Sequence, residues 1–308
     1  MNVHGCDCSI VIKTSRCETD IPYSDETLRE AVSLLEEEAA IEGDGTCRAM
    51  RKYAGATGCI ITPLTIGTAP LLLCLAMGSA GKPVFVSETR NLYKYQLNLL
   101  PLEDTNYFDL IQDRGGERKL YESCRVKGFE LRVKREGTIK LKLDICGDYS
   151  PVVYHYTDTF DREGGERFSG DNVTYKINDK EYKNIYGVTL TSKKEGGTRT
   201  ELWIKRALNT GSDLPHIIDD ITISAQLLRT QYVPSGRAGE KGYNGSQSAA
   251  TLYENRHFGT FRITLKRLVL TSDETIFNSA DTVIGPIRYY VADTVTTEVF
   301  TSGEEVIA

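Results

Sequence analysis

Four histidines, at 4, 155, 216 and 257, are scattered along 308 residues with no pair four apart and no carboxylate signature beside them. A zincin-like or facial-triad metal site therefore has no anchor. Also missing are the G-x-S-x-G elbow, the G-x-G-x-x-G fingerprint and the phosphate loop; "GSAGKPV" at 78–84 puts Pro83 where that loop needs Ser or Thr. No catalytic, cofactor-binding or metal-binding residue is assigned, and no enzyme activity is expected. Paired carboxylates of a glycoside-cleaving β-enzyme stay open as a rival, because two such acids meet only in space. No apolar run is long enough to span a membrane, the longest being "APLLLCLAMG" at 69–78. The first residues lack the basic-then-apolar order of a secretion signal, so a cytoplasmic product is expected. No cysteine follows residue 146; all eight lie in the first half, several inside apolar patterns where a thiol acts as a small hydrophobe. His4, Cys6 and Cys8 could hold a soft metal but lack the paired knuckles of a structural zinc site. Finally, 37 Lys and Arg against 43 Asp and Glu give a net charge of −6, the wrong sign for a protein that grips nucleic acid by neutralising phosphate.

What the chain does have is alternation. In "KGFELRVKREGTIKLKLDICG" (127–147), Phe129, Leu131, Val133, Ile139, Leu141, Leu143 and Ile145 take one face. Glu130, Arg132, Lys134, Lys140, Lys142 and Asp144 take the other. A period of two around Gly137 predicts a hairpin. Pairing its apolar faces sets Arg132 opposite Lys142 and Glu130 opposite Asp144, like charge against like, which costs stability. A neighbouring subunit supplying opposite charge would relieve it, and these six residues with the lone tryptophan, Trp203, are the candidate oligomer interface. The alternative is a solvated basic face.

Helix is expected only early. "SDETLREAVSLLEEEAAIEG" carries a cap, acids in its first turn and an apolar stripe of Leu28, Ala31, Val32, Leu35 and Ala39, which predicts an amphipathic helix ending near Gly43. A basic connector follows, then the strand "CIITPLTIGT" and a second helix over 69–77 with Thr68 as cap, Pro70 in its first turn and Gly78 past its end. From residue 84 onward the chain reads as strand, broken by a loop-like stretch at 150–172 and the Gly/Ser-rich 233–255. Residues 128–145 laid over 187–204 match at seven of eighteen positions, which leaves open a duplicated hairpin unit. The division drawn is 1–44 as an N-terminal extension with the acidic helix, 45–150 as a first β unit and 151–308 as a second.

The order of these pieces carries a resemblance. "AGATGCIITPLTIGTAPLLLCLAMG", a Tyr-rich strand, "LYESCRVKGFELRVKREGTIKLKLDICGD", "VTYKINDKEYKNIYGVTLT" and "FGTFRITLKRLVLTSD" together resemble the tail tube (major tail) proteins of long-tailed, non-contractile bacteriophages, over roughly residues 45–300. The resemblance implies a mainly β fold: a tail-tube-type β-sandwich or barrel with flanking α-helices, built from one unit or two fused related ones. It implies a structural subunit of stacked rings, trimeric if the unit is duplicated and hexameric if not, around a channel for genome passage. Its implied partners are other copies of itself, other tail proteins, and a tape measure protein and double-stranded DNA in the lumen, the DNA held without sequence-specific binding. No membrane is involved and no cofactor is implied. Location in the virion tail, after assembly in the host bacterial cytoplasm, follows from the same likeness. The segment 233–255 is the candidate inter-ring contact. The alternative function is a β-sandwich binding module of a baseplate or adhesin, recognising a carbohydrate or a surface.

Overall fold

The computed structural model of the chain describes residues 8–15, 17–36, 49–79, 83–87, 92–114, 117–149, 152–154, 165–207, 214–232, 253–274 and 284–301. The alternating stretch forms the hairpin it predicts. In β9 (Glu117–Lys134) and β10 (Lys140–Gly147), Phe129, Leu131, Val133, Leu141, Leu143 and Ile145 are buried while the charged residues between them face outward. The register differs from the expected one. Lys140 stands opposite Arg132, Lys142 opposite Glu130 and Asp144 opposite Gly128. Matching apolar faces fixes only the parity of a pairing. The turn centres on Glu136 instead of Gly137, and moving the centre by one residue slides the ladder by two.

Around this hairpin the described residues assemble a single antiparallel sheet of 18 strands. Its main path runs through β5 (Ala49–Pro63), β10, β9, β14 (Ile185–Lys193), β15 (Arg199–Ala207), β18 (Ile284–Thr301), β17 (Tyr253–Glu274), β16 (Ile217–Tyr232) and β12 (Val173–Ile177). The segment just before β12 closes the roll onto its other edge: Phe168 N–H donates to Leu64 O and Phe168 O accepts from Ile139 N–H, each at 2.9 Å. Inside, the Phe168 ring meets Phe261 edge to face at 5.1 Å. Gly170 is required here, since a Cβ would stand 1.7 Å from the Lys134 carbonyl oxygen.

Two long strands fork the sheet. The first half of β9 pairs with β8 (Phe108–Arg114), then β1 (Cys8–Lys13) and β2 (Glu18–Asp20). Its second half pairs with β14. Likewise β18 pairs with β15 early and with β7 (Leu92–Asn98) late, β7 leading on to β6 (Val84–Ser87). Into the fork fits α1 (Ala69–Met77), packed on β7, β9 and β18 with all of its residues buried. A helix apolar on every side belongs inside. Thr68 and Gly78 hold the expected cap positions, Gly78 at φ +94°. The Thr68 hydroxyl, however, bonds the Thr65 hydroxyl at 2.8 Å and caps no helical N–H.

The N-terminal extension is corrected most. Where the sequence predicts an amphipathic helix, the chain forms β3 (Asp25–Glu26) and β4 (Arg29–Glu36), both paired with β5; residues 37–43 lie outside the described residues. Helix propensity is a weak prior that pairing with a long neighbour overrides. The expected connector is itself strand from Ala49 onward. Nor is the start an appendage: Ile10, Val11 and Ile12 are fully buried beside β8. Among the described residues α1 is the one α-helix, so the expected flanking helices reduce to a helix enclosed by sheet. The loop-like 150–172 contains the short strand β11 (Val152–Tyr154), paired with β9.

The two stretches that match in sequence are both hairpins, β9–β10 and β14–β15, lying side by side. The alignment places Leu131 over Leu190, and in the sheet these two residues stand directly opposite each other. A half-turn normal to the sheet at that pair carries β9 onto β14 in the aligned register and β10 onto β15 with a shift of two residues.

Candidate assembly surface

Residues directly opposite in a ladder share a face. The registers thus join Lys140, Arg132, Thr189, Trp203 and Tyr289 into one row across β10, β9, β14, β15 and β18. The next row carries Lys142, Glu130, Thr191, Glu201 and Val291, and continues through Val269 on β17 to Ile217 on β16. The opposite face of these strands supplies Leu131, Leu141, Leu143, Leu190, Leu202 and Tyr290 to the core. All seven residues singled out from the sequence lie on the outer face, which changes character from charged at one end to apolar at the other.

At the charged end the expected repulsion is mostly absent. Glu130 bonds Arg132 beside it and faces Lys142 across the ladder, and Lys142 pairs with Asp144 at 2.9 Å. Donating to the Glu130 carboxylate raises the Arg132 pKa above its ordinary value, and donating to Asp144 does the same for Lys142. Lys140, opposite Arg132, is the like-charge contact that remains. Lys134 and Lys140 have no ion pair among the described residues. The positive charge offered by this end comes from those two lysines, not from the four basic residues together.

Of the apolar end, the sequence reading singled out Trp203 alone. Trp203 is 40% exposed and stacks edge to face on Tyr289 at 5.1 Å, and Ile217 and Val269 are 66% and 54% exposed. Single exposed apolar residues are ordinary, whereas a contiguous group on one face is not. A signal existed in "IRYYVADTV", where apolar residues occupy both faces of β18. That Ile217 and Val269 join them depends on pairings far apart in sequence.

Open strand edges are the second feature. Residues 227–232 of β16 and 253–259 of β17 pair only with each other among the described residues, since β12 stops at Ala225 and β18 at Thr260. Residues 32–36 of β4 and 49–53 of β5 form a second such ribbon. In β6, which among the described residues pairs only with β7, Val84, Phe85 and Val86 are all exposed, so apolar side chains on both faces of this strand meet water.

Conventional chemistry has little footing elsewhere. A pocket of about 250 Å³ beside α1 is lined by Thr14, Ser15, Leu71, Cys74, Leu75, Gly78, Asn106 and Tyr107, a set without a carboxylate or imidazole. Burial pushes the Cys74 thiol up to about 12, which keeps it protonated. Lys194 is fully buried, its Nζ donating to the Leu75 carbonyl at the helix end at 3.5 Å, and burial lowers its pKa to about 7. Among the described residues no cluster of His, Cys, Asp and Glu could hold a metal ion, while His4 and Cys6 lie outside them. No helix among the described residues is long and apolar enough to cross a membrane. Comparison with known proteins adds no identity: no protein-family model matches the chain, and no curated protein does.

Proposed function

We propose that this chain is a structural subunit of a phage tail tube, assembling into rings that stack around a channel for genome passage. The observation that carries the reading is the set of open edges: two two-stranded ribbons and the edge strand β6, none of which is covered by the rest of the chain among the described residues. An isolated two-stranded ribbon is marginal in water, and an apolar edge is a template for another strand. Both liabilities disappear when copies supply each other's missing neighbours. Head-to-tail contacts that close give rings, and contacts repeated along an axis give a tube. The net charge of −6 suits a conduit, because DNA slides past a surface that does not neutralise its phosphates.

Ring order follows from symmetry. A trimer standing in for a hexamer needs two units per chain related by a sixth of a turn about the tube axis. The matched strands β9 and β14 are instead related by a half-turn normal to the sheet, which favours six chains per ring. In this reading the partners are other copies of the chain, further tail proteins, and the tape measure protein and DNA within the lumen. Negative-stain microscopy of the purified protein tests it: rings or tubes are expected, and a population that stays monomeric at high concentration would refute it.

The Trp203–Tyr289 pair on an open sheet face supports one other reading, a binding module that stacks on a sugar or surface. That reading predicts tryptophan fluorescence quenching by a glycan in a protein that forms no polymer.

A further inference from the structure

The strand β9 joins two surfaces of opposite character. Near its C-terminal end lies the outer face with Lys134, Lys140 and Trp203. Toward its N-terminal end the chain exposes acids and tyrosines together. Tyr107 and Tyr149 are 54% and 58% exposed. Arg125 lies 4.8 Å from the Tyr107 ring and bonds Asp148 at 3.2 Å, which draws the residues around both tyrosines into one surface. Glu103 and Asp104, in a short 3-10 turn just before Tyr107, are exposed, as is Glu122 on β9 itself. The local basic charge is spent internally, Arg125 on Asp148 and Lys127 on Glu195 at 3.8 Å. Twelve residues separate Glu122 from Lys134, about 40 Å of extended strand.

We infer that successive copies dock head to tail through these two surfaces, Lys134, Lys140 and Trp203 of one copy meeting Glu103, Asp104 and Tyr149 of the next. The occupant is a second copy of this chain because the chain itself supplies both halves of the match. Each half combines unneutralised charge of one sign with exposed aromatic rings, the composition of an interface core set in a polar rim. Since the surfaces differ and lie far apart on the subunit, the contact is heterologous and cannot end at a dimer. Its sheet-face contact is separate from the strand edges and adds to them. The inference rests on the tail tube reading, of which it names one junction.

The test uses the full chain in two variants, Lys134→Glu with Lys140→Glu, and Glu103→Lys with Asp104→Lys. All four side chains are exposed, so folding is expected to be unchanged and is checked by circular dichroism and thermal melting. Light scattering at low salt should show each variant alone polymerising at least ten-fold more slowly than wild type. Mixed in equal amounts they should polymerise again, since the reversed surfaces complement each other. Trp203→Ala should weaken assembly without changing its salt dependence. Polymerisation of either double variant at the wild-type rate, or no recovery on mixing, overturns the docking and leaves the tube reading standing. A wild-type chain that never polymerises overturns both.

Discussion

The inner and outer parts of this sheet obey the same alternation but complete it differently. In β9 around Leu131 every strand has neighbours on both sides, β10 and β14, and the apolar face closes over a core in which Leu131, Leu141 and Leu190 are almost wholly inaccessible. In the outer half of β16 and β17 the ladder continues through six residues, Leu227 to Tyr232, with no strand alongside among the described residues. Hydrogen bonding within each pair is alike, so the contrast lies in lateral support. A hairpin becomes a stable element only when a third strand or a packed face joins it. The body carries its own lateral support, whereas the ribbons lack it among the described residues, and the proposed assembly would supply it.

The sharpest way to test the contrast is to damage the body. Leu131→Ala removes a side chain 1% exposed from the centre of the sheet and should cost about 2–5 kcal/mol, read as a lowered denaturant midpoint. A proline in the outer ribbon, Leu228→Pro, breaks the ladder where Leu228 stands opposite Phe258 and should leave the monomer's midpoint nearly unchanged while slowing polymerisation. Equal losses in the two midpoints would show that the ribbon is already packed in the free chain, and the distinction would fail.

Lys194 offers a second, smaller probe within the body. Its folded pKa of about 7 lies below the ordinary lysine value of 10.5 because burial disfavours the ammonium, with Cys74 and Cys146 pulling the other way. Between those values the unfolded chain holds a proton that the folded chain has released, so stability rises with pH across the window. Below about pH 7 both states are charged and the burial penalty is present in full. Lys194→Met should therefore stabilise the protein at pH 6, on the order of a few kcal/mol, with the advantage shrinking as pH rises toward 10.5. A variant less stable than wild type at pH 6 would mean that the bond to the Leu75 carbonyl outweighs the desolvation.

How far the sequence discloses this arrangement varies by region for physical reasons. The helix α1 is legible in full, because an apolar run bracketed by Thr68, Pro70 and Gly78 states its own limits and its burial. The β9–β10 hairpin is legible in its faces but not in its register, since alternation is unchanged when a ladder slides by two. The misread segment is the one that ends in β4, where Leu28, Ala31, Val32 and Leu35 satisfy a helical period and pairing with the neighbouring β5 decides for strand. Of the candidate surface, the charged half could be found and the apolar half only through Trp203. Trp203, Tyr289, Val269 and Ile217 come from β15, β18, β17 and β16, and only pairings far apart in sequence bring them into two adjacent rows of one face.

The smallest predicted effect concerns the same strip and separates its two possible roles. Lys142 is bonded to Asp144 and stands across from Glu130, so within a single chain it belongs to a partly exposed ion-pair cluster. Such pairs contribute about 0–1 kcal/mol, and Lys142→Ala should change the monomer's stability by no more than that. Lys140 has no such partner among the described residues, so Lys140→Ala relieves its opposition to Arg132 and should leave the monomer as stable or slightly more so. In assembly the order should invert, because a lysine already neutralised inside its chain has little charge left to offer a neighbour. Lys140→Ala should slow polymerisation and flatten its salt dependence, while Lys142→Ala should do neither. If the two substitutions affect assembly equally, the strip acts through its total charge, and the distinction between paired and unpaired lysines has no consequence at the junction.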